Sequence, residues 1–114
     1  MSSALCAVDE QLALQRAGGN TELARDLYQL LQKELPEYQH RLPTLYANGD
    51  LRSLQDAVHK LNGSATYCGV PALKAAVDAM ESSLKRGEKE SYTEKMEKVL
   101  NEIQRVQESP ILEF

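Results

Sequence analysis

Apolar residues recur along this chain at the three- and four-residue spacing of amphipathic helices, and the alternating pattern of strands is almost absent. The longest helical pattern runs from about Asn20 to Ala47, where Asn48 and Gly49 end it. Pro36 and Pro43 lie inside this segment, so it is predicted to be either kinked or split. Its apolar positions are Leu23, Leu27, Leu30, Leu31, Leu35, Tyr38, Leu42 and Leu45.

Residues that start and stop helices divide the chain further. The predicted starts are Asp9, Asp50, Pro71 and Ser91, the last forming a capping box with Glu94. The predicted stops are Gly18 with Gly19, then Gly69, then Gly87. Short connections favour antiparallel neighbours, so we expect an all-α fold, an up-and-down antiparallel four-helix bundle with a short extra N-terminal helix. We expect residues 1–114 to form one domain, with residues 1–8 and 109–114 frayed.

A histidine stands on the polar side of the helix that follows Asp50. On a helix that turns about 100° per residue, the core-facing positions lie opposite His59. They are Leu54, Ala57, Val58, Leu61, Ser64, Ala65 and Cys68. The face around His59 holds Arg52, Gln55, Asn62, Gly63 and Thr66. A mid-helix glycine costs about 1 kcal/mol relative to alanine, so we interpret Gly63 as open space in which a large partner approaches the imidazole.

Composition narrows the class of protein. The chain has 114 residues, 42% of them apolar and 26% charged, and a net charge of −4. Its charges are mixed along the sequence, which argues against nucleic acid or an anionic membrane as the partner. No apolar run approaches the roughly 18 residues of a membrane span, and no signal-peptide pattern is present, so we expect a cytoplasmic location. The cysteines, Cys6 and Cys68, lie outside any CxxC pattern and are expected to be reduced.

Several catalytic arrangements fail on spacing. Cys68 follows His59 by nine residues, which places it on the opposite side of the helix and roughly 13 Å along the axis, so the two form no dyad. His40 is the other histidine, and no carboxylate follows His59 at the three- or four-residue spacing of a bundle metal site, so we predict no metal site. The chain also has no glycine-rich phosphate loop, Walker motif or Mg²⁺-binding carboxylate pair of a kinase.

Residues 57–87, AVHKLNGSATYCGVPALKAAVDAMESSLKRG, resemble the histidine-containing phosphotransfer (HPt) domains of phosphorelays. The family signature is a histidine with glycines at +4 and +10 and small residues after the first glycine. These are His59, Gly63, Gly69, Ser64 and Ala65. Residues 17–36 and 48–51 are also similar, so the resemblance covers most of the chain. The HKL, GS, Y and GVP elements look most like the C-terminal modules of hybrid sensor histidine kinases of the GacS/BarA type.

The resemblance implies a phosphoryl carrier without kinase activity of its own. His59 would accept a phosphoryl group from the aspartyl phosphate of a receiver domain and pass it to a response-regulator receiver aspartate. An unperturbed histidine has a pKa of about 6.5, so a neutral, nucleophilic imidazole is available at physiological pH. No cofactor is expected on this chain, and Mg²⁺ is expected on the receiver. The expected supporting residues are Lys60, Asn62 and Gly63, and the expected partner-docking residues are Arg52, Gln55 and Thr66.

Some alternatives stay open. Many family members have lysine at +3, whereas Asn62 supplies a hydrogen-bond donor without charge. This departure keeps a second interpretation, a non-catalytic helical interaction module that docks through the His59 face. Lys60 is either a residue that positions the phosphoryl group or an ordinary solubilising charge. The expected partners are receiver domains, with no nucleic acid and no membrane contact by this segment, which is either free-standing or the cytosolic end of a membrane-anchored kinase.

Overall fold

The computed structural model describes residues 5–112 and contains no strand among them. Its helices are α1 (Glu10–Arg16), α2 (Thr21–Ala47), α3 (Leu51–Thr66), α4 (Pro71–Arg86) and α5 (Tyr92–Gln107), with a 3-10 turn at Lys89–Ser91. The long helices pack in a ring, each against the next in the chain and α2 against α5, while α1 packs on α2. The predicted all-α bundle with a short N-terminal helix is confirmed. None of the described helices has both the length and the apolar character needed to cross a bilayer.

Local side-chain chemistry sets most helix boundaries. Side chains that accept a backbone N–H precede three helices, namely Asp9 before α1, Asn20 before α2 and Asp50 before α3. Pro71 takes the first position of α4, and Gly87, with φ of +69°, follows its last residue. The predicted capping box at Ser91 is wrong, because the Ser91 side chain accepts no N–H of α5. Its hydroxyl donates to the Glu88 carbonyl at 2.8 Å and lies 3.1 Å from the Ser83 hydroxyl. Helix α3 also ends three residues before the predicted stop at Gly69.

Helix α2 runs unbroken through both prolines, so the split alternative is wrong. Pro36 and Pro43 lie seven residues apart on one side of the helix, beside the buried stripe that includes Leu35 and Leu42. Each proline removes one N–H, and the packing of this stripe holds the helix together. The stripe also differs from its prediction, because Leu23 and Leu30 are exposed. Tyr28 and Ala24 are buried instead, beside the predicted Leu31.

The described chain ends are anchored, which corrects the expectation that residues 5–8 and 109–112 fray. The Cys6 carbonyl accepts the Ala72 N–H at 3.2 Å, one of the first-turn N–H groups of α4 that lack a partner within the helix. At the other end, the hydroxyl of Tyr28 and the amide of Gln32 donate to the Ser109 carbonyl. Leu112 is buried in the core. Residues 1–4 and 113–114, the rest of the predicted frayed ends, lie outside the described residues.

Two glycines give a paired test of this packing. Gly69 has φ of +66°, and a Cβ there would lie 2.6 Å from the Ala13 backbone nitrogen and from the Asp9 carbonyl oxygen. Gly69→Ala is expected to lower the free energy of unfolding by more than about 2 kcal/mol, through left-handed strain and this clash. Gly63 is helical, and a Cβ added there would meet nothing within 4 Å. Gly63→Ala should therefore raise the free energy of unfolding by up to about 1 kcal/mol. Urea unfolding measures both, and equal effects of the two substitutions would contradict this assignment.

Candidate functional site

His59 stands on the solvent side of α3, with its side chain 73% exposed. The opposite face of the helix is buried through Leu54, Ala57, Val58, Leu61 and Ala65. The imidazole Nδ1 lies 2.6 Å from Oε2 of Glu81, which comes from α4. Within residues 5–112, the other ring nitrogen, Nε2, has no hydrogen-bond partner. The histidine therefore offers one ring nitrogen to solvent while the fold holds the other.

Glu81 is a nearly buried carboxylate, with a side chain only 8% exposed. Its Oε1 accepts from Asn62 Nδ2 at 2.7 Å, and its Oε2 lies 3.3 Å from Lys85 Nζ. Burial raises the pKa of the Glu81 carboxyl. Hydrogen bonds from Asn62, His59 and Lys85 outweigh burial and lower this pKa below its ordinary value of 4.5. Glu81 is therefore ionised at neutral pH and can only accept hydrogen bonds.

The ionised carboxylate determines the tautomer of the neutral imidazole. Since Glu81 can only accept, Nδ1 of His59 must carry the ring proton and donate it. The lone pair of the neutral ring then resides on Nε2, the nitrogen without a partner in the fold. This arrangement leaves a nitrogen lone pair at the surface, which is chemically able to act as a nucleophile.

Sequence reasoning missed Glu81 and Lys85. Helical spacing relates His59 only to carboxylates on its own helix, whereas Glu81 reaches His59 from the next helix. A signal was present in the pattern, because residue 81 lies four residues after Val77 and three before Leu84 and so falls within the apolar stripe of α4. A carboxylate at such a position faces the neighbouring helix and needs hydrogen-bond donors there.

Gly63 opens the surface one turn beyond His59. A Cβ built there meets no atom within 4 Å, so the predicted open space is present. Beside it, a groove of about 240 Å³ between α2 and α3 is lined by Leu27, Leu30 and Tyr67 among others. Leu30 and Tyr67 are 55% and 56% exposed. The approach to the imidazole is therefore bordered by accessible apolar surface.

The other predicted site residues are spread around α3. Lys60 is exposed and lines a cleft toward α2, whereas Asn62 contacts Glu81 from the α4 side. The fold thus brings Asn62, but not Lys60, into the hydrogen-bond network of the histidine. Of the expected docking residues, Arg52 is exposed and Gln55 is half-buried. The third, Thr66, is half-buried with its hydroxyl donating to the Asn62 carbonyl at 2.8 Å.

Neither cysteine belongs to this site. Both are free, Cys6 at the surface and Cys68 in the core. Burial raises the pKa of the Cys68 thiol to about 11, so it is protonated at neutral pH. Among the described residues, no group of three or more histidine, cysteine or acidic side chains is placed to hold a metal ion.

Comparisons with known proteins point to one family. The family model for the Hpt domain matches residues 26–109. Over 87 residues, 76% of this chain, the sequence is 41% identical to the signal transduction histidine-protein kinase BarA of Shigella flexneri. It is 33% identical over 79 residues, 69% of this chain, to the sensor protein GacS of Pseudomonas syringae pv. syringae. The matched segments are 10% and 9% of the lengths of these relatives.

A solved structure has the same fold. The crystal structure of the HPT domain from a Shewanella Hpt sensor hybrid histidine kinase matches with a TM-score of 0.84 and 26% sequence identity. The match covers 91% of this chain and 90% of that one.

The lowered pKa of Glu81 predicts how acid weakens the fold. Because this pKa is below the ordinary 4.5 in the folded state, the ionised carboxylate contributes stability above that value and loses it as pH falls through the folded value. Below pH 4.5, the free energy of unfolding should therefore fall more steeply in the wild type than in Glu81→Gln. Unfolding in urea at stepped pH measures this difference. The control Glu97→Gln, at an exposed position of α5, should keep the wild-type slope, and parallel curves for wild type and Glu81→Gln would contradict the assignment.

Proposed function

The chain belongs to the Hpt domain family, and on that premise we propose that His59 is the residue that carries its phosphoryl group. Hpt domains function in phosphorelay histidine phosphotransfer and are carriers, not kinases. One observation carries the assignment to His59: an exposed imidazole whose Nδ1 donates to Glu81, so that Nε2 is free to react. The other histidine, His40, lies on α2.

The proposed transfer is a displacement at phosphorus. The Nε2 lone pair of His59 attacks the phosphorus of an aspartyl phosphate on a receiver domain. The P–N bond forms as the P–O bond to the aspartyl oxygen breaks, and the aspartate leaves as a carboxylate. The ring becomes a phosphorylated imidazolium that retains its Nδ1 proton, so charge and protons balance. The reverse displacement, by the aspartate of a second receiver, regenerates the neutral histidine.

Glu81 supports this step electrostatically. The imidazole gains positive charge as the P–N bond forms. The ionised carboxylate of Glu81, which is nearly buried and lies 2.6 Å from Nδ1, stabilises that charge. Lys85 lies against the same carboxylate oxygen as the imidazole, at 3.3 Å. We assign its ammonium to offset the negative charge of the bound phosphoryl group. Lys60 lies on the side of α3 that faces α2. It therefore supports the transfer only by contacting the docked receiver domain.

The partner is a receiver domain that docks over the open surface at Gly63. The exposed apolar side chains of Leu30 and Tyr67 border this surface. Arg52, which lies on α3 as Gly63 does, provides a charged contact. Gln55 and Thr66 complete the proposed docking face. Besides Lys85, Mg²⁺ and further groups that neutralise the transferred phosphoryl belong to the receiver, and no cofactor is proposed on this chain.

The module acts in the cytoplasm, within or beside a hybrid sensor kinase. Support comes from BarA and GacS, in which the matched segments are about a tenth of the whole protein. The remaining length of such relatives offers room for kinase and receiver domains, and the phosphoryl group of a phosphorelay moves between such domains.

His59→Gln should abolish phosphoryl acceptance while changing the free energy of unfolding by less than about 0.5 kcal/mol, as expected at an exposed position. The assay incubates the chain with a panel of phosphorylated receiver domains and scores an acid-labile, base-stable phosphoryl group. His40→Gln is the matched control and should accept as the wild type does. A phosphorylated His59→Gln would place the nucleophile elsewhere, and a wild type that no receiver phosphorylates would favour the non-catalytic interaction module.

Gly63→Gln should fold but accept phosphoryl groups more slowly, because its side chain fills the space that the receiver needs. We expect a loss of about tenfold or more, which corresponds to about 1.4 kcal/mol of docking free energy. Gly63→Ala, which adds only a Cβ in open space, should stay close to wild type and controls for helix propensity. Strong destabilisation by glutamine without a specific loss of transfer would make Gly63 a packing residue and remove this support for the docking face.

A further inference from the structure

The amide group of Asn62 links α3 to α4 through three partners. Its Nδ2 donates to Oδ1 of Asp78 at 2.8 Å and to Oε1 of Glu81 at 2.7 Å. Its Oδ1 accepts from Nζ of Lys74 at 2.7 Å, and the same ammonium donates to Asp78 at 2.8 Å. Both amide hydrogens and the amide oxygen are thus engaged by the neighbouring helix.

The chemistry of these partners permits only one orientation of the amide. An ammonium can only donate, so the amide oxygen must face Lys74. Ionised carboxylates can only accept, so the amide nitrogen must face Asp78 and Glu81. A flipped amide would oppose its oxygen to the carboxylates and its N–H groups to the ammonium. Lys74 therefore fixes the direction in which Asn62 donates.

This donation controls the rotation of the Glu81 carboxylate. The terminal torsion of a glutamate is broad, so the contacts of His59 and Lys85 at Oε2 alone leave the other oxygen free to rotate. Here Asn62 holds Oε1, and Oε2 then points at Nδ1 of His59. The carboxylate that orients the imidazole is itself oriented from its second oxygen.

We propose that Asn62, with Lys74 behind it, is a positioning residue that sets the tautomer and orientation of the His59 imidazole through Glu81. The inference rests on the proposed phosphoryl transfer at His59 and deepens it. It also changes the role expected for Asn62 from the sequence. Both of its N–H groups are engaged by carboxylates of α4, so neither is free to hold a phosphoryl group.

The test reads the tautomer directly. In protein labelled with ¹⁵N-histidine, at a pH above the titration of the histidines, long-range ¹H–¹⁵N spectra report which ring nitrogen carries the proton. Wild-type His59 should be mainly Nδ1–H. Asn62→Ala should shift the population toward Nε2–H and slow phosphoryl acceptance about three- to tenfold, the range expected for one lost hydrogen bond. Lys74→Met should act in the same direction to a smaller extent, while the His40 signals stay unchanged as an internal reference.

Matched controls make the same chemical changes on α5. Asn101→Ala gives the same gain in helix propensity at an exposed position. Lys98→Met removes a lysine that, like Lys74, pairs with a carboxylate four residues later. Both should leave the His59 spectrum and the acceptance rate unchanged. Thermal unfolding of every variant shows whether a rate change reflects lost stability instead of lost positioning.

Three outcomes would overturn the inference. In the first, Asn62→Ala leaves both the His59 tautomer and the rate of phosphoryl acceptance unchanged. In the second, the tautomer changes but the rate does not, so the contact has no consequence for transfer. In the third, the rate falls with an unchanged tautomer, which would assign Asn62 to direct contact with the phosphoryl group. Failure of the proposed function is a separate result, because it would appear as no acceptance by the wild type whatever the tautomer of His59.

Discussion

An ionised carboxylate held almost out of water is the feature on which the site depends. A carboxylate that leaves water loses several kcal/mol of solvation unless hydrogen bonds replace it. Glu81 gains donors from Asn62, His59 and Lys85, and its pKa falls in spite of burial. The same contacts that make its burial tolerable also hold the imidazole, so the stability of the α3–α4 contact and the orientation of His59 have a common origin.

The two faces of α3 have different surroundings, one packed in the core and the other exposed. One face supplies the core with Leu54, Val58 and Leu61, which are fully buried. The opposite face carries His59 and Gly63 and is left open to a partner. Because neither His59 nor Gly63 contributes to the core, this open face tolerates an exposed histidine and a mid-helix glycine at little cost to packing. A rigid helix then presents the proposed nucleophile at a defined position, as precise transfer requires.

Sequence patterns predicted what depends on spacing within one helix. The helical periods, the caps at Asp9 and Asp50 and the outward placement of His59 were all available from them. What they missed depends on contacts between helices. The pairing of His59 with Glu81 needs the packing of α3 on α4, and the hydroxyl of Ser91 found a partner on Ser83 instead of capping its own helix. The anchored chain ends were missed for the same reason, since their partners are distant in sequence.

The site of phosphorylation on the ring tests the account most directly. Since Glu81 accepts the Nδ1 proton of His59, the proposed transfer places the phosphoryl group on Nε2. A ³¹P-coupled ¹⁵N spectrum of the protein, phosphorylated by a receiver domain, identifies the nitrogen that bears phosphorus. The account predicts a P–N coupling to Nε2 of His59, with Nδ1 still protonated. Phosphorus on Nδ1, on His40 or on a side chain other than histidine would contradict it.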